Sequence, residues 1–260
     1  VIAGIHHARV TGEGQFCDVG MYDGMLAFAE TVLANYGFAQ KELPARGQHH
    51  PNLAHHFDTP RQQFEAGKIG MWIFLVTEIM FFGGFFVAYV VYRAMYGDAF
   101  AVGSRELSVS IGALNTCVLL LSSFTMVVAV SAAQQGKSKW VVYMLLLTMF
   151  FGLVFLGVKI AFEYIPKWDH GLVPGLHWDP HVPYEGRGLP LYFALYFGMT
   201  GMHGLHVLVG IGIMAFMLVP AWKGKWHPKN YNFVEGFGLY WHFVDIVWIV
   251  IFTVVYLLQI

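Results

Sequence analysis

Ionisable side chains inside apolar runs are the residues of this 260-residue chain that could do chemistry. Glu78 is the one charge between Ile69 and Tyr92. Lys159 and Glu163 lie four apart between Trp140 and Ile165. His203 and His206 lie three apart between Leu189 and Trp222. Glu235, His242 and Asp245 belong to the start of the last run, which reaches Ile260. Hydrocarbon keeps such groups only if they are paired, hydrogen-bonded, neutral or near water, so each suggests a specific partner or a function.

Glu78 sits near the middle of its run, hence near mid-bilayer at about 1.5 Å per helical residue. A lone acid there suggests a proton relay, a lipid head-group contact or a structural hydrogen bond. Lys159 and Glu163 share one helix face. They are expected to form an ion pair near the outer end of the span, with the lysine snorkelling. His203 and His206 could offer two ligands to a metal or haem. One further histidine in a run, His242, is too few for a haem-copper centre built from several helices. Gly201, Gly204, Gly210 and Gly212 around the pair favour close helix packing with histidine as interhelical glue. No metal ligand and no catalytic residue is therefore assigned. Asp245 follows His242 by three, so a hydrogen bond along one face is expected, with His242 reaching towards His203 and His206. A polar network that fixes helix order and one that handles protons both fit these residues.

The elements that must position these groups are five apolar stretches, about 69–92, 107–133, 140–165, 189–222 and 236–260. Each is long enough for a span of about 20 residues. A helix satisfies its own backbone in lipid, so the expectation is an all-α polytopic membrane protein, a five-helix bundle over 67–260. Composition agrees: 57% of residues are hydrophobic and 12% charged, against about 25% charged in soluble domains. A net charge of -1 leaves no nucleic-acid footprint.

Residues 1–66 form a polar extension that holds six of the 13 histidines. Met21 to Phe38 could form a short interfacial helix. His49, His50, His55 and His56 read as solvated loop histidines, because no regular spacing joins them into a metal site. Cys17 and Cys117 give no disulfide framework. The first 20 residues lack the apolar core of a signal peptide. Between the third and fourth spans lies a Pro-rich connection, Pro166 to Pro190, with His170, His177 and His181. It reads as an ordered cover on a partner or as a rigid connector.

Five spans put the termini on opposite sides. The N-terminal flank and the second and fourth connections carry Arg61, Lys68, Lys137, Lys139, Lys223, Lys225 and Lys229. The other side carries Arg93, Arg105, Lys167 and Arg187. The positive-inside rule then predicts a cytoplasmic N-terminus and an outer C-terminus.

Taken together, Thr77 to Phe82, Leu114-Asn115-Thr116, Glu163-Tyr164, His203-Gly204-Leu205-His206-Val207, Glu235 and Tyr240 to Trp248 resemble subunit III of the haem-copper respiratory oxidases. The resemblance covers about Gly67 to Ile260, in the short five-span bacterial form; mitochondrial-type members have two further spans. It implies an accessory, non-redox subunit of a proton-pumping cytochrome c oxidase, beside subunits I and II. Haems and copper would lie on those partners, and this chain would bind none. It also implies ordered phospholipid and support of proton uptake in a bacterial plasma membrane, and leaves membership of a respiratory supercomplex open. Glu78 matches the family's intramembrane carboxylate, and His203, His206, Glu235, His242 and Asp245 match its interhelical polar network. Third subunits of quinol oxidases and a nitric-oxide-reductase-associated homologue are similar. A transporter using the intramembrane carboxylates is the alternative of another class, and it would predict broken spans or a repeat.

Overall fold

The computed structural model describes residues 60–178, 188–228 and 230–258. The expected Met21–Phe38 helix, the paired histidines at 49–50 and 55–56, Cys17, His181 and Arg187 lie outside them. The described chain is helical almost throughout. The elements are α1 (Pro60–Met95), α2 (Gly97–Arg105), α3 (Val109–Gln134), α4 (Ser138–Lys159), α5 (Ile165–Asp169), α6 (Gly188–Trp222) and α7 (Asn232–Ile251). Two π-helical segments, Ile160–Tyr164 and Phe252–Leu257, extend α4 and α7. Five of these stretches are long and apolar enough to cross a membrane: Ala66–Met95, Val109–Gln134, Ser138–Asp169, Gly188–Trp222 and Asn232–Leu257.

The helices follow from the composition. Long apolar runs have no backbone partner in lipid other than their own turn. Their ends are set by local chemistry. Gly136, at φ 72, stops α3: its N–H reaches the Ala133 carbonyl and the Lys137 N–H reaches Ala132. Gly224 closes α6 in the same way, onto Ala221 and Pro220. This is the left-handed glycine cap that satisfies the last carbonyls of a helix.

Helix α7 is the most enclosed of the spans and α1 the least. Helix α7 packs on α1, α3 and α6, while α4 packs on α3 and α6. Lipid tails are as apolar as leucine, so such helices are held by packing and interhelical hydrogen bonds. The core supplies both. Trp241, Trp248, Tyr192, Tyr196 and Tyr256 are fully buried. The Trp241 indole N–H donates to Ser122 Oγ at 3.0 Å and that of Trp248 to Thr116 Oγ1 at 3.1 Å, lacing α7 to α3. Between α3 and α4, Thr125 and Thr148 share a hydroxyl bond of 2.8 Å.

Two elements went beyond the expected spans. Helix α2 buries Ala99 and Phe100 and packs on α6. The Pro-rich connection begins with α5 and a two-stranded antiparallel hairpin, β1 (Leu172–Val173) and β2 (His177–Trp178). There His177 stacks on Trp168, with centroids 5.2 Å apart.

Candidate functional site: buried polar contacts between the spans

Glu78 lies on the inner face of α1 and is 3% exposed. It faces the protein, not the lipid. Its Oε2 is 2.9 Å from His206 Nε2 on α6. The other ring nitrogen, Nδ1, donates to the Met202 carbonyl at 2.7 Å. A carbonyl only accepts, so Nδ1 carries a hydrogen. One more proton must then lie between Oε2 and Nε2. It makes either an imidazolium–carboxylate pair or a neutral imidazole facing a carboxylic acid, and in both cases the pair is neutral as a unit. Phe82 packs its ring against His206, with centroids 5.2 Å apart, and Tyr240 donates its hydroxyl to the His206 carbonyl at 2.9 Å. Three helices thus meet at His206.

Lys159 and Glu163 form a second centre. Lys159 Nζ donates to Glu163 Oε2 at 2.5 Å. Tyr196 and Tyr256 donate their hydroxyls to the same carboxylate oxygen, and Lys159 also donates to both hydroxyls. The ammonium lies 4.9 Å from the Trp248 ring centroid and 5.0 Å from those of Tyr196 and Tyr256, an aromatic cage with cation–π geometry. The expected ion pair is present, but the lysine does not snorkel. Both side chains are enclosed, at 4% and 1% exposure. The physical reason is the π turn at Ile160–Tyr164, together with the hydroxyls of α6 and the end of α7, which replace the water that snorkelling would reach. Such π turns are frequent at functional sites. Glu163 Oε1 has no partner.

The remaining histidines and acids do not form one connected network. His203 Nε2 donates to the Val244 carbonyl at 3.1 Å, and its ring lies 5.3 Å from those of Phe155 and Trp248. Its Nδ1 is buried without a partner. His203 and His206 therefore turn to different helices, α7 and α1. The expected His242–Asp245 bond is absent. His242 Nδ1 instead meets Ser123 Oγ on α3 at 2.6 Å. His242 also does not reach His203 or His206, because α7 presents it to α3. Asp245 is 3% exposed, and neither carboxyl oxygen has a hydrogen-bond partner. Glu235 pairs with Lys68, 3.2 Å away at the start of the membrane part of α1. Among the described residues no group of three His, Cys, Asp or Glu side chains is placed to hold a metal.

Sequence reasoning missed the acceptors and donors that complete these contacts: Ser123, Tyr196, Tyr256 and the carbonyls of Met202 and Val244. The hydroxyl residues of the second span, Thr116, Ser122 and Ser123, were the available signal. They recur along an uncharged helix and end up facing α7.

A family model of cytochrome c oxidase subunit III matches residues 189–260, which hold α6 and α7. A model of CoA-transferase family III matches residues 1–81, under a third of the chain and largely outside the described residues. Over 196 residues the chain is 35% identical to a probable cytochrome c oxidase subunit 3 of Mycobacterium tuberculosis, covering 74% of this chain and 88% of that one. It is 33% identical to quinol oxidase subunit 3 of Bacillus subtilis, covering 75% of this chain and 90% of the relative. It is 31% identical to cytochrome c oxidase subunit 3 of Thermostichus vulcanus, covering 73% and 86%. With identity of this extent across nearly the whole of each relative, and with five apolar helices to match, the chain belongs to the subunit III family of the haem-copper respiratory oxidases.

Proposed function

We propose that this accessory subunit of a terminal oxidase sits beside subunit I of a proton-pumping cytochrome c oxidase, in a bacterial plasma membrane. Electron transfer belongs to the partner subunits, whose haems and copper reduce oxygen to water. This chain supports assembly, keeps proton uptake going during turnover and holds ordered phospholipid. Its N-terminus lies in the cytoplasm and its C-terminus outside, as the basic residues of the connections favour. The observation that carries the reading is the 35% identity over 88% of a relative named as an oxidase subunit 3.

The Glu78–His206 pair suits such a role. It ties the least enclosed helix, α1, to α6 with a neutral unit, so no net charge is left in the bilayer. Its one shared proton can move between the two groups without changing the net charge of the pair.

A second reading concerns the electron donor. The relative from Bacillus subtilis is named as a quinol oxidase subunit 3. Purification through a tag on this chain in mild detergent tests both. A reduced-minus-oxidised haem spectrum is expected, with oxygen uptake driven by cytochrome c. Uptake driven only by quinol gives the second reading. A folded but colourless chain that copurifies with no haem protein overturns both.

A further inference from the structure

Where α3 ends and α4 begins, the bundle carries an open groove that no role above uses. Its volume is about 220 Å³, and Val128, Ser131, Ala132, Gln135, Lys137 and Trp140 line it. From Gln135 to Val128 it follows the last turns of α3 for about 10 Å, at about 1.5 Å per residue. The deep end is apolar, at Val128 and Ala132. The mouth is polar. There Lys137 Nζ donates to Gln135 Oε1 at 2.7 Å, and Gln135 Nε2 donates to Ser131 Oγ at 3.1 Å. This hydrogen-bonded row holds the lysine at the mouth. Trp140, 56% exposed, forms the wall on α4.

The groove opens among positive charges. Lys137 and Lys139 are both exposed. The α6–α7 connection lies against the α3–α4 connection: Ser138 Oγ donates to the Trp226 carbonyl at 3.4 Å, and a Cβ at Gly136 would lie 3.2 Å from Pro228. That contact brings the exposed Lys223 and Lys225 to the same end of the bundle. Residues 135–139 and 223–231 contain no Asp or Glu. Lys139 stands in the first turn of α4, where the helix dipole disfavours a cation, so helix stability does not account for it.

The shape and charge define the occupant. Sites for drug-sized ligands begin at about 300 Å³, so this groove suits a molecule whose remainder stays in lipid. Cations at the mouth, apolar walls at depth and a tryptophan at the level of the membrane interface match a phospholipid. An acidic protein segment would meet the lysines without using the apolar end.

We propose that this groove is a site for an anionic phospholipid, with its phosphate at Lys137 and Lys139 and one acyl chain along Val128 and Ala132. The proposal rests on the reading that this chain holds ordered phospholipid, and it names the place and the charge of one such lipid. Each basic residue near an anionic head group adds attraction, so a zwitterionic lipid binds here less well.

The test is photolabelling of the whole oxidase complex in mild detergent with diazirine-bearing phosphatidylglycerol, followed by mapping of the labelled peptides. Label is expected on residues 128–140, displaced by unlabelled phosphatidylglycerol and not by phosphatidylcholine. Lys137→Gln combined with Lys139→Gln lowers that label five-fold or more. Val128→Trp, which fills the deep end and keeps the charges, lowers it likewise and serves if the double variant loses the subunit. Equal displacement by phosphatidylcholine overturns the site, because it marks an ordinary boundary lipid. Native-level label in either variant does the same. An unlabelled 128–140 segment also overturns it, and is the result if an acidic segment of a partner covers the lysines. Displaceable label on other segments alone refutes this site while the lipid-holding reading stands; no displaceable label anywhere on the chain refutes both.

Discussion

His206 faces Glu78 across 128 residues of sequence at 2.9 Å, with its other nitrogen fixed on the Met202 carbonyl. Because Nδ1 is committed, the ring cannot flip without losing both bonds. The tautomer at Nε2 and the protonation of Glu78 are therefore set together.

Replacement of Glu78 should follow this geometry. Glu78→Gln keeps a hydrogen-bonding group opposite Nε2, so copurification and haem spectra are expected to be unchanged, while sustained turnover falls. Glu78→Ala leaves a buried imidazole nitrogen without a partner, which costs about 1–3 kcal/mol. The measurement is retention of this subunit on the complex during detergent washing, with oxygen uptake followed over many turnovers. Native turnover in Glu78→Gln leaves the pair a structural tie alone.

The aromatic cage makes the Lys159–Glu163 pair sensitive to single changes. Lys159→Met leaves a buried carboxylate facing only two hydroxyls, and loss of about 3–5 kcal/mol is expected. The double change Lys159→Met with Glu163→Leu should cost less than either single change, because no uncompensated charge remains. Thermal dissociation of the three variants, compared as a double-mutant cycle, checks this. Additive losses contradict the coupling.

Asp245 and Ser123 should behave in opposite ways. Asp245 has no bond to lose, so Asp245→Leu is expected to leave stability unchanged or raise it. Ser123→Ala removes the partner of His242 and is expected to cost about 1 kcal/mol. The comparison is the midpoint of thermal dissociation for each variant. A large loss in Asp245→Leu points to a partner on another subunit.

Helix α6 approaches α7 closely at Gly210. A Cβ there would lie 2.6 Å from the buried Trp241 ring. Gly210→Ala is expected to push α7 outward and cost about 1–3 kcal/mol. Gly212, with nothing within 4 Å, is the control and should accept alanine.

Much of this was legible in the chain. Apolar runs of sufficient length marked the five spans, because lipid allows few alternatives to a helix. The four-residue spacing of Lys159 and Glu163 marked their pair, since one helix places both partners. Glu78 and His206 could not be joined in advance, as they stand on helices whose facing sides sequence does not reveal. The His242–Asp245 expectation failed for a related reason. Spacing of three permits a contact along α7, but a serine on α3 stood closer to the ring. The π turns left no trace in the apolar pattern, and α2 is too short and mixed to read as a span.

The π turn at Ile160–Tyr164 has a consequence for how the chain tolerates changes in length. A π turn holds one residue more than the α turn it replaces. Deleting one residue here is geometrically easy, because a plain α-helix can close the gap. Such a deletion would leave the helical turns on either side close to their present relative bearing, whereas a deletion in the plain α-helix would rotate everything beyond it by about 100°. Pro166 and Lys167 would nearly keep their places, but the four-residue spacing that joins Lys159 to Glu163 would be lost. The extra residue of the π turn is thus spent on the ammonium and the carboxylate, not on the direction of the helix that follows.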